Sequence, residues 1–142
     1  MVRIELMPWE QARSIAGPIR FSIFVGEQNV PPGIELDDKD ADCIHAIAYD
    51  EAGKAIGTGR LLPDEHIGRM AVVKEWRRRG VGAAILEALT EEARKRGHKE
   101  VALSAQLQAL EFYRSHGFTA EGKVYEEAGI LHQAMRRSLL PP

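Results

Sequence analysis

The stretch from Glu75 to Leu89, EWRRRGVGAAILEAL, constrains the fold more than any other part of the chain. Apolar residues run up to Val73, a basic turn follows, two glycines come next, and an amphipathic helix opens behind them. From Gly80 to Arg96, residues Val81, Ile85, Ala88, Leu89 and Ala93 fall on one helical face, while Glu87, Glu91, Glu92, Arg94 and Lys95 fall elsewhere. Gly97 then stands where a helix favours glycine just past its end. A strand that passes into a helix through glycines belongs to a layered sheet-and-helix protein. It is also a natural phosphate site, because the first N–H groups of a helix have no internal partners and the helix dipole is positive there. Local physics leaves two readings open: a cradle for a phosphorylated ligand, or a solvated turn whose glycines only permit close packing.

The common nucleotide cradles do not match. No G-x-x-x-x-G-K-[ST] loop occurs, and GVGAAI has Ile85 where a dinucleotide fingerprint needs its third glycine. A nucleic-acid role for Arg77 to Arg79 with Arg136 and Arg137 conflicts with the overall charge. Lysine and arginine total 19 against 21 acids, a formal charge of -2, whereas nucleic-acid binders draw affinity from a basic excess.

The remaining chain supplies a frame. VRIEL alternates as a first strand, and PWEQARSIAGPIRFSIF has helical spacing that Gly17-Pro18 should break or kink. NVPPGIELDDKDADC reads as a loop whose acids, Asp37, Asp38, Asp40 and Asp42, are expected to be solvated. CIHAIAYD, KAIGTGRLL and IGRMAVV read as three strands, the first two joined at DEAGK, where Gly53 can take a positive φ. EVALSA is a buried strand, LQALEFYRSH a short helix ended by Gly117, and HQAMRRSL a last strand. The order is β-α-βββ-α-β-α-β: a mixed sheet with helices packed on it, in the α/β or α+β class, over residues 1–142 as one domain. The single cysteine, Cys43, excludes an internal disulfide and fits a reducing compartment. With no apolar leader and no run of membrane-spanning length, a cytoplasmic protein is expected, with no membrane partner.

AVVKEWRRRGVGAAILEAL resembles motif A of the GNAT superfamily of acetyl-CoA-dependent N-acetyltransferases, here as Arg77-x-x-Gly80-x-Gly82. QLQALEFYRSHGF resembles the motif B segment, a short helix whose tyrosine precedes a Gly-Phe strand start. IRFSIFVGEQNVPPGIELDDKDADCIHAIAY, GTGRLL and YEEAGILHQAMRR are similar to the small bacterial ElaA-like and YjcF-like members. Leu131 stands where that group usually has proline before the histidine.

The resemblance implies the GNAT fold: a mixed, mostly antiparallel sheet, splayed at its centre, with helices on both faces. It implies acetyl transfer from acetyl-CoA to a primary amine within a ternary complex, with no metal. Arg77, Arg78, Arg79, Gly80, Val81, Gly82 and Ala83 would hold the CoA pyrophosphate, chiefly through the N–H groups of Arg78 to Ala83. Ala71 and Val72, on a bulged strand, would pair with the pantetheine arm, and Gln106 would hydrogen-bond it. Tyr113 would protonate the leaving thiolate. Glu27 and His132 are both candidates for the base that takes the amine proton, with Glu27 preferred; His45 reads as a core or pocket-wall residue. A non-catalytic acyl-CoA sensor on the same fold is the other reading. The acceptor stays open, and a homodimer is compatible with the resemblance.

Overall fold

A computed structural model describes residues 2–35 and 37–141. Strand β1 (Arg3–Pro8) leads into helix α1 (Trp9–Arg20), a π-helical segment (Phe21–Glu27) and the one-turn helix α2 (Pro32–Glu35). Strands β2 (Ile44–Tyr49), β3 (Ala55–Leu61) and β4 (Ile67–Val72) follow, then helix α3 (Val81–Lys95). Strand β5 (Glu100–Gln106), helix α4 (Leu110–Ser115) and strands β6 (Thr119–Glu127) and β7 (Ile130–Ser138) complete the chain.

The strands form two antiparallel ladders, β1-β2-β3-β4 and β5-β7-β6. Strands β4 and β5 touch at one end only, through a parallel bridge between His66 and Ala102, and then separate. The sheet is thus splayed at its centre, as the resemblance implies.

Both faces of the first ladder are covered. Along β2, His45, Ala46, Ile47 and Ala48 are all buried, because alternate side chains meet different helices. Ile47 packs with Ala12 and Ala16 of α1, whereas Ala46 and Ala48 join Ile85, Leu86 and Leu89 of α3. Gly57 and Gly59 let α3 sit directly on β3: a Cβ at either would lie 2.9 Å from an Ile85 carbon. Val101, Leu103, Ala105 and Met135 of the second ladder share the α3 core, so one apolar layer joins the two ladders.

Three expectations are corrected. Gly17-Pro18 does not end the first helix. Pro18 lies inside α1, and the helix continues to Arg20 and widens into π turns, with Gln28 N–H donating to Ile23 O at 3.0 Å. Proline inside a helix costs about 3 kcal/mol, and burial of Ala12, Ala16 and Ile19 against the sheet offsets it. The single last strand is in fact the β6–β7 hairpin. Strand β6 has no fully buried residue and a register shift between Glu121 and Tyr125, so it lacks the alternation that marks a strand in sequence.

The third correction concerns the acids. Asp38 and Asp42 are exposed, but Asp40 is 2% exposed and Glu35 is buried with it. Arg20, itself 1% exposed, reaches Glu35 Oε1 (2.6 Å) and Asp40 Oδ1 (2.8 Å). Arg60 donates to both oxygens of Asp37 (2.9 Å each) and to Asp40 (2.8 Å). His45 donates from Nε2 to Asp40 O (3.0 Å), which clamps the loop onto β2. The segment read as a solvated run is an interior network of guanidiniums and carboxylates.

Candidate active site

The site lies where β4 and β5 part, and it starts with an irregularity. Opposite Gly59, the β4 register steps from Ala71 to Gly68, so Arg69 and Met70 share one partner position. Arg69 takes φ +48°, a left-handed conformation that side-chain-bearing residues seldom adopt. This bulge falls just before Ala71 and Val72. Beyond it, Val73 N–H bonds to Ile56 O (2.9 Å) on β3. By alternation along an antiparallel ladder, the Val72 N–H and C=O face the other edge, toward the splay. The Val72 carbonyl there accepts from Arg77 Nε (2.9 Å).

The turn after β4 is held by its own side chains. Arg77 Nη2 reaches both carboxylate oxygens of Glu27 (2.8 and 3.0 Å), tying the π segment to the turn. Arg79 lies over the Trp76 ring, 4.0 Å from its centroid. Arg78 (φ +62°) and Gly80 (φ +83°) are both left-handed, and only glycine takes that geometry at no cost. The first internal bond of α3 runs from Ala84 N–H to Gly80 O. Among the described residues, the N–H groups of Val81, Gly82 and Ala83 therefore have no partner. Such free donors beside left-handed backbone form a concavity suited to an anion. Gly82 faces Phe112 at ordinary contact distance, 3.5 Å from an ideal Cβ.

At the splay, walled in part by Phe24 and Gln28 near the π segment and by Glu35 of α2, is a cavity of about 550 Å³, a size typical of small-molecule sites. Ile67, Gly68, Arg69 and Met70 line it, the last two at the bulge. Tyr113 and His132 also line it. Among the described residues the Tyr113 hydroxyl has one weak partner, Met70 Sδ at 3.8 Å, and burial pushes its pKa up to about 12. His132 is 9% exposed and stacks on Tyr125, whose hydroxyl meets that of Ser104. His132 Nδ1 lies 2.8 Å from Ile130 O. A carbonyl only accepts, so Nδ1 carries a hydrogen, and in the neutral ring Nε2 is the acceptor. Leu131 is 51% exposed, so its departure from the group pattern falls on the outer side of β7. Gln106, opposite His132 in the β5–β7 register, donates to Gln28 Oε1 (2.9 Å).

The structure therefore gathers Tyr113, His132 and Gln106 around one cavity and sets the turn from Arg77 to Ala83 beside the free edge of β4. It does not bring Glu27 there. Glu27 is absent from the cavity wall, and its carboxylate is engaged by Arg77. Arg77 likewise braces Val72 and Glu27, and its own N–H bonds to Lys74 O (3.3 Å). The sequence reading missed Gln28, Met70 and Arg69. None has a local sequence signal, since a bulge register and a contact across 78 residues are invisible to periodicity. Cys43 offers no nucleophile: burial pushes its thiol up to about 11, so it stays protonated at neutral pH.

An antiparallel sheet parted at its centre, four helices and a helix N-terminus at the parting define the acyl-CoA N-acyltransferase fold. Known proteins agree. A family model described as an acetyltransferase (GNAT) domain matches residues 36–139. The uncharacterized N-acetyltransferase YjcF of Bacillus subtilis (strain 168) is 37% identical over 123 residues, 84% of this chain and 87% of that protein. Protein ElaA of Escherichia coli (strain K12) is 32% identical over 130 residues, 86% and 84% of the two chains. The crystal structure of Escherichia coli ElaA superposes with a TM-score of 0.84 at 27% identity, over 97% of this chain and 100% of that one. An acyl-CoA N-acyltransferase from Pseudomonas aeruginosa superposes with a TM-score of 0.85 at 27% identity, over 97% and 100%. The chain belongs to the GNAT acetyltransferase family.

Proposed function

We propose that this protein moves an acetyl group from acetyl-CoA to a primary amine by direct attack, with both reactants bound together. The observation that carries this reading is the set of free N–H groups at Val81, Gly82 and Ala83, opening beside the unpaired edge of β4. The residues from Arg78 to Ala83 would hold the pyrophosphate through the main chain, with Arg77 and Glu27 keeping the turn in shape. The β4 edge at Ala71 and Val72 would receive the pantetheine arm, and Gln106 would turn its amide to it in exchange for Gln28. The Val72 N–H would stabilise charge developing on the thioester oxygen. Holding two reactants in register would supply much of the rate.

Tyr113 faces the leaving sulfur in this reading. At a pKa of about 12 the phenol keeps its proton at every working pH. Thiols ionise near pH 8.5, so complete transfer from so weak an acid is uphill. Tyr113 would then act by a hydrogen bond to the departing thiolate. Hydrogen bonds to charged groups are worth about 1.5–3 kcal/mol, which is roughly ten- to a hundredfold in rate. Tyr113→Phe is therefore expected to lower kcat by that amount and to leave CoA affinity nearly unchanged. Thiol release from acetyl-CoA across an amine panel measures it, and an unaltered kcat would reduce Tyr113 to packing.

His132 Nε2 would take the amine proton, directly or through water. His132→Asn should lose activity most at neutral pH and recover in part at high pH, where the amine deprotonates unaided. Glu27→Gln should keep the wild-type shape of the pH–rate profile and weaken CoA binding instead, because it loosens Arg77. The reverse pattern in the two pH–rate profiles would return the base to Glu27.

A further inference from the structure

The cavity has a charged end that the acetyl-transfer reading does not use. Its wall there is made by Glu35, Lys39, Arg60 and Arg69, with Asp64 and His66 at the rim. The charges are layered. The carboxylates of Asp37 and Asp40, which pair with the guanidiniums, are not part of the wall. Glu35 belongs to the wall, but its carboxylate is taken by Arg20 and the residue is 2% exposed. Asp64 is paired with His66 (3.1 Å). Arg60 engages both terminal nitrogens with Asp37 and Asp40, and its Nε is buried with no hydrogen-bond partner among the described residues.

Arg69 is the less well satisfied of the two guanidiniums facing Asp37. Its contacts to Ile34 O, Glu35 O and Asp37 are all long, 3.3–3.4 Å. Burial first, and then the nearby Arg60 charge, push its pKa below the usual arginine value, so its charge is undercompensated where it stands. It is also the left-handed residue of the β4 bulge. Residues held in such conformations are strained and collect at ligand sites. Lys39 is exposed and has no ion pair among the described residues. At the other end, Glu127 on the β6–β7 hairpin is an exposed acid on the same wall. Arg69 is the chain neighbour of Met70, which Tyr113 touches, so the basic end lies within a side chain's reach of the candidate reacting groups.

We propose that Arg69 and Lys39 form an oxyanion subsite, and that the acceptor is an amine that also carries a carboxylate or phosphate group. The bulge exists to turn Arg69 into the cavity beside Met70. The oxyanion completes the hydrogen bonds that Arg69 makes poorly in the free protein, and it sets the amine toward His132 and Tyr113. The carboxylates behind the wall hold the guanidiniums in place and do not attract a cationic acceptor, because each is already bridged.

This inference rests on the acetyl-transfer reading, and a binding experiment separates the two. The CoA-saturated protein is titrated calorimetrically with ω-aminocarboxylates of three to six carbons, with ω-aminoalkylphosphonates, and with n-alkylamines and α,ω-diamines of matched length. An oxyanion-bearing amine is expected to bind at least tenfold more tightly than its neutral and dicationic counterparts, and the better headgroup distinguishes carboxylate from phosphate chemistry. The preference should shrink severalfold in Lys39→Gln, an exposed site whose change leaves the fold alone, and vanish in Arg69→Gln. Equal or tighter binding of the alkylamine or diamine overturns the subsite. Failure of CoA itself to bind overturns the acetyl-transfer reading instead.

Discussion

Asp40→Ala is expected to destabilise the protein by about 3–5 kcal/mol, the usual cost of removing one partner from a buried ion pair. Asp40 accepts from Arg20 and Arg60 at once, and both guanidiniums are almost wholly buried. Its loss leaves two interior charges facing each other with only Glu35 and Asp37 to offset them. Domains have about 5–15 kcal/mol in total, so the variant should melt roughly 10 °C or more below the wild type. Asp38→Ala and Asp42→Ala alter exposed neighbours in the same run and should stay within about 0.5 kcal/mol. Equal melting temperatures for Asp40→Ala and these controls would show that the network carries no stability.

The same network sets the acid limit. Asp37 is held below the ordinary carboxylate value, first by its hydrogen bonds from Arg60. For Asp40, burial opposes ionisation, but hydrogen bonds from Arg20 and Arg60 outweigh it, and its pKa falls as well. Groups lowered in the folded state bind fewer protons than in the unfolded chain, so stability rises with pH across that interval. The contribution is complete above the unfolded value near pH 4 and is lost as pH falls through the folded values. Urea midpoints should hold steady near neutrality and drop below about pH 4.

Gly82→Glu is expected to weaken CoA binding by at least a hundredfold while leaving the fold intact. An ideal Cβ at Gly82 meets Phe112 at 3.5 Å, an ordinary contact. An acid in the first turn of a helix is stabilising by about 0.3–1 kcal/mol, so α3 should form as before. The same carboxylate stands among the free N–H groups of Val81 to Ala83 and repels a pyrophosphate arriving there. A variant that melts like the wild type and binds CoA equally well would mean that the turn is not the cofactor site.

These particulars show what was legible in the chain. Strand β2, strand β3 and helix α3 could be read because apolar periodicity records which face is buried, and Gly80 marks a left-handed turn that few other residues take. The turn at Arg77 to Ala83 was found through its glycines and its place before the helix. The acids at 37–42 were misread because their partners, Arg20, Arg60 and Arg69, lie 20 or more residues away, and composition alone suggests solvation. The Glu27 contact is hidden for the same reason: Arg77, its partner, lies 50 residues on. Strand β6 buries no face fully, and the β4 bulge arises from a register mismatch between two strands, so neither leaves a periodic trace.

The central claim is that this chain binds an acyl-CoA at the α3 N-terminus and the β4 edge. Thermal unfolding of the wild-type protein with increasing CoA or acetyl-CoA tests it most directly. A ligand that binds only the folded state stabilises it by about 2.7 kcal/mol at a hundredfold excess over Kd. The melting temperature should therefore climb steadily with CoA, by roughly 5–10 °C at that excess. A melting temperature that does not move at millimolar CoA, in protein that is folded at the start, would contradict the account.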